Sequence, residues 1–178
     1  MELSGVQLAS MAATLGVAAI FDIRQRRVPN WLTYGAALAA LAFQISAGSL
    51  SDGLAGGLAC GAIGILLYLV SRLGAGDAKL LIAIGAWLGL GLGLDVALWT
   101  LFGGAVVGVV MLLVRGQMLS MIREMWVSVL TLSTPGARPV MARGDFSFPL
   151  APVMAAAFAL VMLVPALRPV SPILEMMR

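Results

Sequence analysis

At 178 residues, 61% apolar and only 11% charged, with a mean hydropathy of +1.05, the chain is far more apolar than a soluble domain, which is about 45–50% apolar and about 25% charged. A soluble globular fold and a disordered chain are both excluded, and a membrane protein made mostly of helices is indicated. The formal charge of +3 is better explained by how the basic residues fall along the membrane topology than by nucleic acid, so no nucleic-acid partner is expected.

A helical span needs about 20 mostly apolar residues. Such stretches run roughly over 4–22, 31–49, 54–71, 78–92, 95–114 and 149–167. The first is expected to be a retained span and not a cleaved signal, because its basic cluster follows it. The third carries Gly53, Gly57 and Gly61, and the fourth Gly85, Gly89 and Gly93; small residues at this spacing let helix backbones approach closely in lipid. The run 78–114 holds only Lys79 and Asp95 as charges and is too long for one span, so a break is expected at Gly91–Asp95. Five spans with a re-entrant segment is the competing count. Within the loop 115–148, Met118, Met121, Ile122, Met125, Val129 and Leu132 recur at helical spacing, which predicts an amphipathic interfacial helix over 117–132. Ser133 to Pro139 then breaks it. The expected fold is an all-α membrane helix bundle of about six spans plus this interfacial helix, forming one domain over 1–178.

With the N-terminus outside the cytoplasm, nine of the eleven basic residues fall on the inner side: Arg24, Arg26, Arg27, Arg72, Lys79, Arg115, Arg123, Arg138 and Arg143. Only Arg168 and Arg178 fall outside. The excess of inner basic residues sets this orientation, and their headgroup neighbours are expected to be anionic lipids.

The residue types present narrow the chemistry. There is no histidine, which removes Ser-His-Asp and Cys-His catalysis, HExxH zinc sites and His-ligated haem. The single cysteine, Cys60, can form neither an internal disulfide nor a CxxC pair. No metal or other cofactor is expected. Of the eight acids, Glu2, Asp52, Asp95, Glu124, Asp145 and Glu175 are expected at solvated loop, tail or interfacial positions. Asp22 and Asp77 differ, because each sits at the inner end of an apolar span. Asp22 could serve as a surface partner of the neighbouring arginines, and Asp77 as a helix N-cap. An N-cap alone does not require two glycines, however, and Gly74 and Gly76 permit close approaches that a side chain would block. Two acids on one membrane face suggest an aspartic protease pair: one carboxylate takes a proton from water, the other polarises the scissile carbonyl, and the two titrate as a unit.

The element Gly74-Ala75-Gly76-Asp77, extended by Ala78-Lys79-Leu80, resembles the GxGD motif of the type IV prepilin peptidases. So does Asp22-Ile23-Arg24 followed by Arg27-Val28-Pro29-Asn30-Trp31, and, more loosely, Phe148-Pro149-Leu150-Ala151-Pro152. The absence of paired CxxC motifs resembles the short enzymes of Tad/Flp pilus systems, called TadV or CpaA, which lack a methyltransferase domain. The resemblance implies a membrane aspartic endopeptidase of the bacterial inner membrane. Its catalytic pair would be Asp22 and Asp77, its active-site loop Gly74, Gly76 and Lys79. It would cut the leader of a prepilin or pseudopilin, a basic segment followed by an apolar helix, at the cytoplasmic face, in company with pilus assembly machinery. The motif's usual third glycine is Ala75 here. A proton-coupled transporter and a catalytically silent scaffold of a secretion machine are the rival readings.

Overall fold

The computed structural model describes residues 4–70, 74–116, 123 and 150–177. Among these, the regular elements are all helical: α1 (Gly5–Gln25), α2 (Asn30–Ser46), α3 (Leu50–Val70), α4 (Ala75–Val114), α5 (Ala151–Leu163), a 3-10 turn (Pro165–Leu167) and α6 (Ser171–Met176). Three stretches, Gly5–Gln25, Leu50–Tyr68 and Ala75–Val114, are long and apolar enough to cross a membrane. The all-α bundle expected from composition is what forms. The interfacial helix expected at 117–132 lies, apart from Arg123, outside the described residues.

Two compact units divide the chain, 1–103 with 149–178, and 104–148. Of the second, the described part is the end of α4, closed by Arg115 N–H to Met111 O (3.0 Å) and Gly116 N–H to Leu113 O (3.1 Å), and Arg123. The first unit holds every other element.

α1 starts on a capping box, in which Ser4 and Gln7 each accept the other's backbone N–H. Its buried residues are Met11, Leu15, Ala18 and Asp22, spaced so that they form one stripe along the helix. α1 packs against α5, whose own buried residues are Ala151, Met154, Ala157, Phe158 and Val161. Asp22 thus continues an apolar stripe and is carried into the interior by the residues before it.

The long apolar run 78–114 does break, but at Gly89 and not at Gly91–Asp95. Gly89 has φ 75° and ψ −175° within an otherwise helical element, a conformation that glycine adopts at little steric cost. The chain reverses there. Eight residues of straight helix rise about 12 Å, yet a Cβ on Gly93 would stand 2.9 Å from the Cα of Gly85. A reversal frees the last carbonyls of the first arm, which then need donors. Two come from neighbouring helices: Gln44 Nε2 donates to Ala86 O (3.0 Å) and Gln7 Nε2 to Trp87 O (3.1 Å).

Glycine lets α3 lie directly on the first arm of α4. A Cβ on Gly56 would fall on the carbonyl of Gly85, and one on Gly85 would fall on the carbonyl of Gly56. Further along, a Cβ on Gly61 would meet Ile82 Cγ1 at 2.9 Å, and one on Gly64 would meet Ala78 Cα at 3.0 Å. The close packing expected of these small residues is present, and its tightest point is Gly56, which the four-residue pattern omitted.

Asp95 corrects a second expectation. It is fully buried, within α4, and accepts from Val170 N–H (2.6 Å) and Ser171 N–H (3.2 Å). It therefore holds the start of α6 against α4. Gly91 makes room for that approach, since a Cβ there would stand 3.2 Å from Ser171 Cα.

Two stability measurements follow from this packing. Gly85→Leu places a side chain on backbone that cannot yield, so folded protein in detergent should be lost. Gly35→Ala, with open space around it, should leave the unfolding free energy within about 1 kcal/mol. Asp95→Ala strands one buried and one part-buried N–H group and should cost about 2–4 kcal/mol, read as a lowered thermal midpoint and faster proteolysis of the 164–177 segment.

Candidate active site

Asp22 and Asp77 come from the end of α1 and the start of α4, 55 residues apart in the chain. The start of α4 lies against the turn that follows α1, with Gly76 beside Val28, which brings Asp77 near enough for the charge of Asp22 to act on it. Each carboxylate is held by a backbone amide.

Asp22 is 6% exposed, and its Oδ2 accepts from Ala151 N–H at 2.9 Å. Ala151 is the first residue of α5, which has proline in its first turn. The first N–H groups of a helix have no partner within it, so a carboxylate from another helix completes one of them. Four residues on, α1 ends at Arg26 in the left-handed region (φ 51°), with Arg26 N–H donating to Asp22 O at 2.9 Å. Both the backbone and the side chain of Asp22 are therefore tied.

Asp77 lies in the first turn of α4. Its Oδ2 accepts from Gly74 N–H at 3.2 Å, while Asp77 N–H and Ala78 N–H donate to Gly74 O at 3.0 and 3.3 Å. Asp77 is therefore not the N-cap that the sequence left open: α4 starts at Ala75, Gly74 holds the cap position, and Asp77, the third helical residue, reaches back to the Gly74 amide while Gly74 O accepts from the first turn. The two glycines have separate reasons. A Cβ on Gly74 would stand 3.0 Å from Asp77 Oδ2, crowding the carboxylate. A Cβ on Gly76 would stand 3.2 Å from Val28 Cβ and 3.3 Å from Val28 O. Gly76 therefore sets how closely α4 begins to the turn between α1 and α2. Ala75, where the motif's third glycine would fall, is exposed and interferes with neither contact.

Lys79 reaches to α2. Its Nζ donates to Asn30 Oδ1 at 2.9 Å and lies 4.8 Å from the centre of the Tyr34 ring. All five residues singled out from the sequence, Asp22, Gly74, Gly76, Asp77 and Lys79, thus belong to one neighbourhood. The residues that join them, Val28, Asn30, Tyr34 and Ala151, were not singled out for a role. For Ala151 there was a usable signal: Pro152 marks a helix start, and a helix start has amides to donate.

Among the described residues no group of three or more His, Cys, Asp or Glu could hold a metal ion.

Neither the curated proteins nor the solved structures yield a match. The family model for the type IV leader peptidase family matches residues 9–113. That span is more than half of the chain and contains both aspartates, the glycine loop and Lys79. The protein is therefore a member of the type IV leader peptidase family.

Proposed function

We propose that the protein is an aspartic endopeptidase that removes the leader peptide of type IV prepilins or pseudopilins, with Asp22 and Asp77 as its catalytic pair. The observation that carries this reading is the placing of two helix-end carboxylates, 55 residues apart in sequence, near enough for one charge to act on the other, in a chain of the leader peptidase family. Both acids sit at helix ends and not at mid-helix, which suits cutting a substrate at a membrane face better than relaying protons through the bilayer.

The chemistry follows from a pair that shares one proton. The ionised carboxylate removes a proton from water as the water oxygen attacks the scissile carbonyl carbon. The protonated carboxyl donates to the carbonyl oxygen as that oxygen gains charge. The tetrahedral intermediate collapses when the carboxyl that took the water proton passes it to the departing nitrogen. The amides of Ala151 and Gly74 hold the two carboxylates in place, so little reorganisation is needed at the moment of reaction.

The orientation that places most basic residues in the cytoplasm puts this pair at the cytoplasmic face of the inner membrane, where a basic leader would remain. The resemblance of its motifs to the TadV/CpaA-like enzymes points to an Flp-type prepilin as substrate. Arg24, Arg26 and Arg27 are exposed and better suited to anionic headgroups than to a basic leader.

Co-expression with an Flp-type prepilin, followed by gel shift and N-terminal mass, tests this. Leader loss is expected with the native chain. Asp22→Asn and Asp77→Asn, each still inserted in the membrane, should leave the prepilin uncut, with activity lower by about three orders of magnitude or more. Gly76→Val, which forces α4 off the Val28 turn, should also lose cleavage. Full processing by either Asn variant would remove that aspartate from the mechanism.

A further inference from the structure

Lys79 is two residues beyond Asp77, yet its ammonium bonds to a neighbouring helix. It is held by two groups of another helix: Asn30 Oδ1 at 2.9 Å and the face of Tyr34 at 4.8 Å. Asn30 and Tyr34 are four residues apart at the start of α2, so they are neighbours on one helix face. A lysine that merely marks the membrane boundary extends its flexible stem until the charge reaches water. This one is fixed across 49 residues of sequence.

The contacts form a closed path between the two aspartates. Asp77 is locked to Gly74 in the first turn of α4 by two hydrogen bonds, and Ala78 N–H adds a third to Gly74 O. Lys79 joins that turn to Asn30. Asn30 follows Pro29, whose carbonyl accepts from Leu32 N–H (3.1 Å) and starts α2. The short turn before Pro29 leads back to Arg26, whose N–H bonds to the carbonyl of Asp22 (2.9 Å). Gly76 against Val28 holds the same two segments in contact, but van der Waals contact limits approach without preventing sliding or separation. A directional hydrogen bond supplies that restraint.

We propose that Lys79, Asn30 and Tyr34 form a clamp that fixes the start of α4 against α2 and so sets the separation of Asp77 from Asp22. On this assignment, which rests on the catalytic pair proposed above, all three are positioning residues that leave substrate untouched.

The test uses the purified full chain in proteoliposomes and a synthetic peptide with a basic leader, a glycine and an apolar helix. Lys79→Met keeps the stem and removes the donor, and Asn30→Ala removes the acceptor. Each should lower kcat by about ten-fold, the scale of one hydrogen bond to a charged group, with KM within about two-fold of native. The double variant should be no worse than either alone, because both break one interaction. Asn30→Asp, which keeps the acceptor, should restore most of the kcat lost in Asn30→Ala. A raised KM with unchanged kcat in Lys79→Met would make the lysine a substrate contact and overturn the clamp. Additive losses, or native kcat in both single variants, would overturn it as well. Asn30 is exposed, so Asn30→Ala should fold even if Lys79→Met does not. A native chain that cleaves while Asp77→Asn does not keeps the catalytic reading intact whatever the clamp variants show; a native chain that cleaves no peptide overturns that reading and the clamp with it.

Discussion

The hydrogen bond from Ala151 N–H to Asp22 Oδ2 is the interaction around which the candidate site is built. It joins residues 129 apart and puts a carboxylate where apolar residues would otherwise continue the α1–α5 contact. A polar group buried without a partner is strongly destabilising, so Asp22 can occupy that stripe only because a helix begins beside it. The start of α5 has amides that its own helix cannot satisfy. Each defect corrects the other, and the pairing sets the depth and rotation of α1 relative to α5.

A second constraint brings Asp77 to the same place. α4 begins beside Val28 because Gly76 has no side chain, and it lies on α3 because Gly56 and Gly85 have none. The reversal at Gly89 is stabilised from outside by Gln7 and Gln44, so polar side chains of α1 and α2 serve the end of the bundle remote from the aspartates. Asp95 does similar work for α6. In an environment without water to satisfy backbone groups, each break in a helix needs such a donor or acceptor. Among the described residues, Gln7, Gln44, Asp22 and Asp95 serve such breaks.

The sequence made the helical class, the two helix-end aspartates and the packing role of glycine legible, because each depends on composition or on local spacing. Charges inside apolar runs are conspicuous, which is why Asp22 and Asp77 stood out. The location of the reversal was not legible: Gly85, Gly89, Gly91 and Gly93 all permit one, and the choice of Gly89 depends on contacts with Asp52 and Gly56 from α3. Asp95 was misread for a related reason. It lay next to an expected loop, while its partners, Val170 and Ser171, are about 75 residues away and contribute only backbone amides, which no side-chain pattern reveals. The Ala151 amide was hidden in the same way.

The central claim is that Asp22 and Asp77 act as one catalytic unit. It is tested most directly by the cleavage rate of a synthetic prepilin by the purified native chain, Asp22→Asn, Asp77→Asn and the double variant, each shown to be folded. Groups that act together lose their function together, so the account predicts the same residual rate for all three variants. A double variant slower than either single one by the product of their separate losses would contradict it, as would a single variant that cleaves at the native rate.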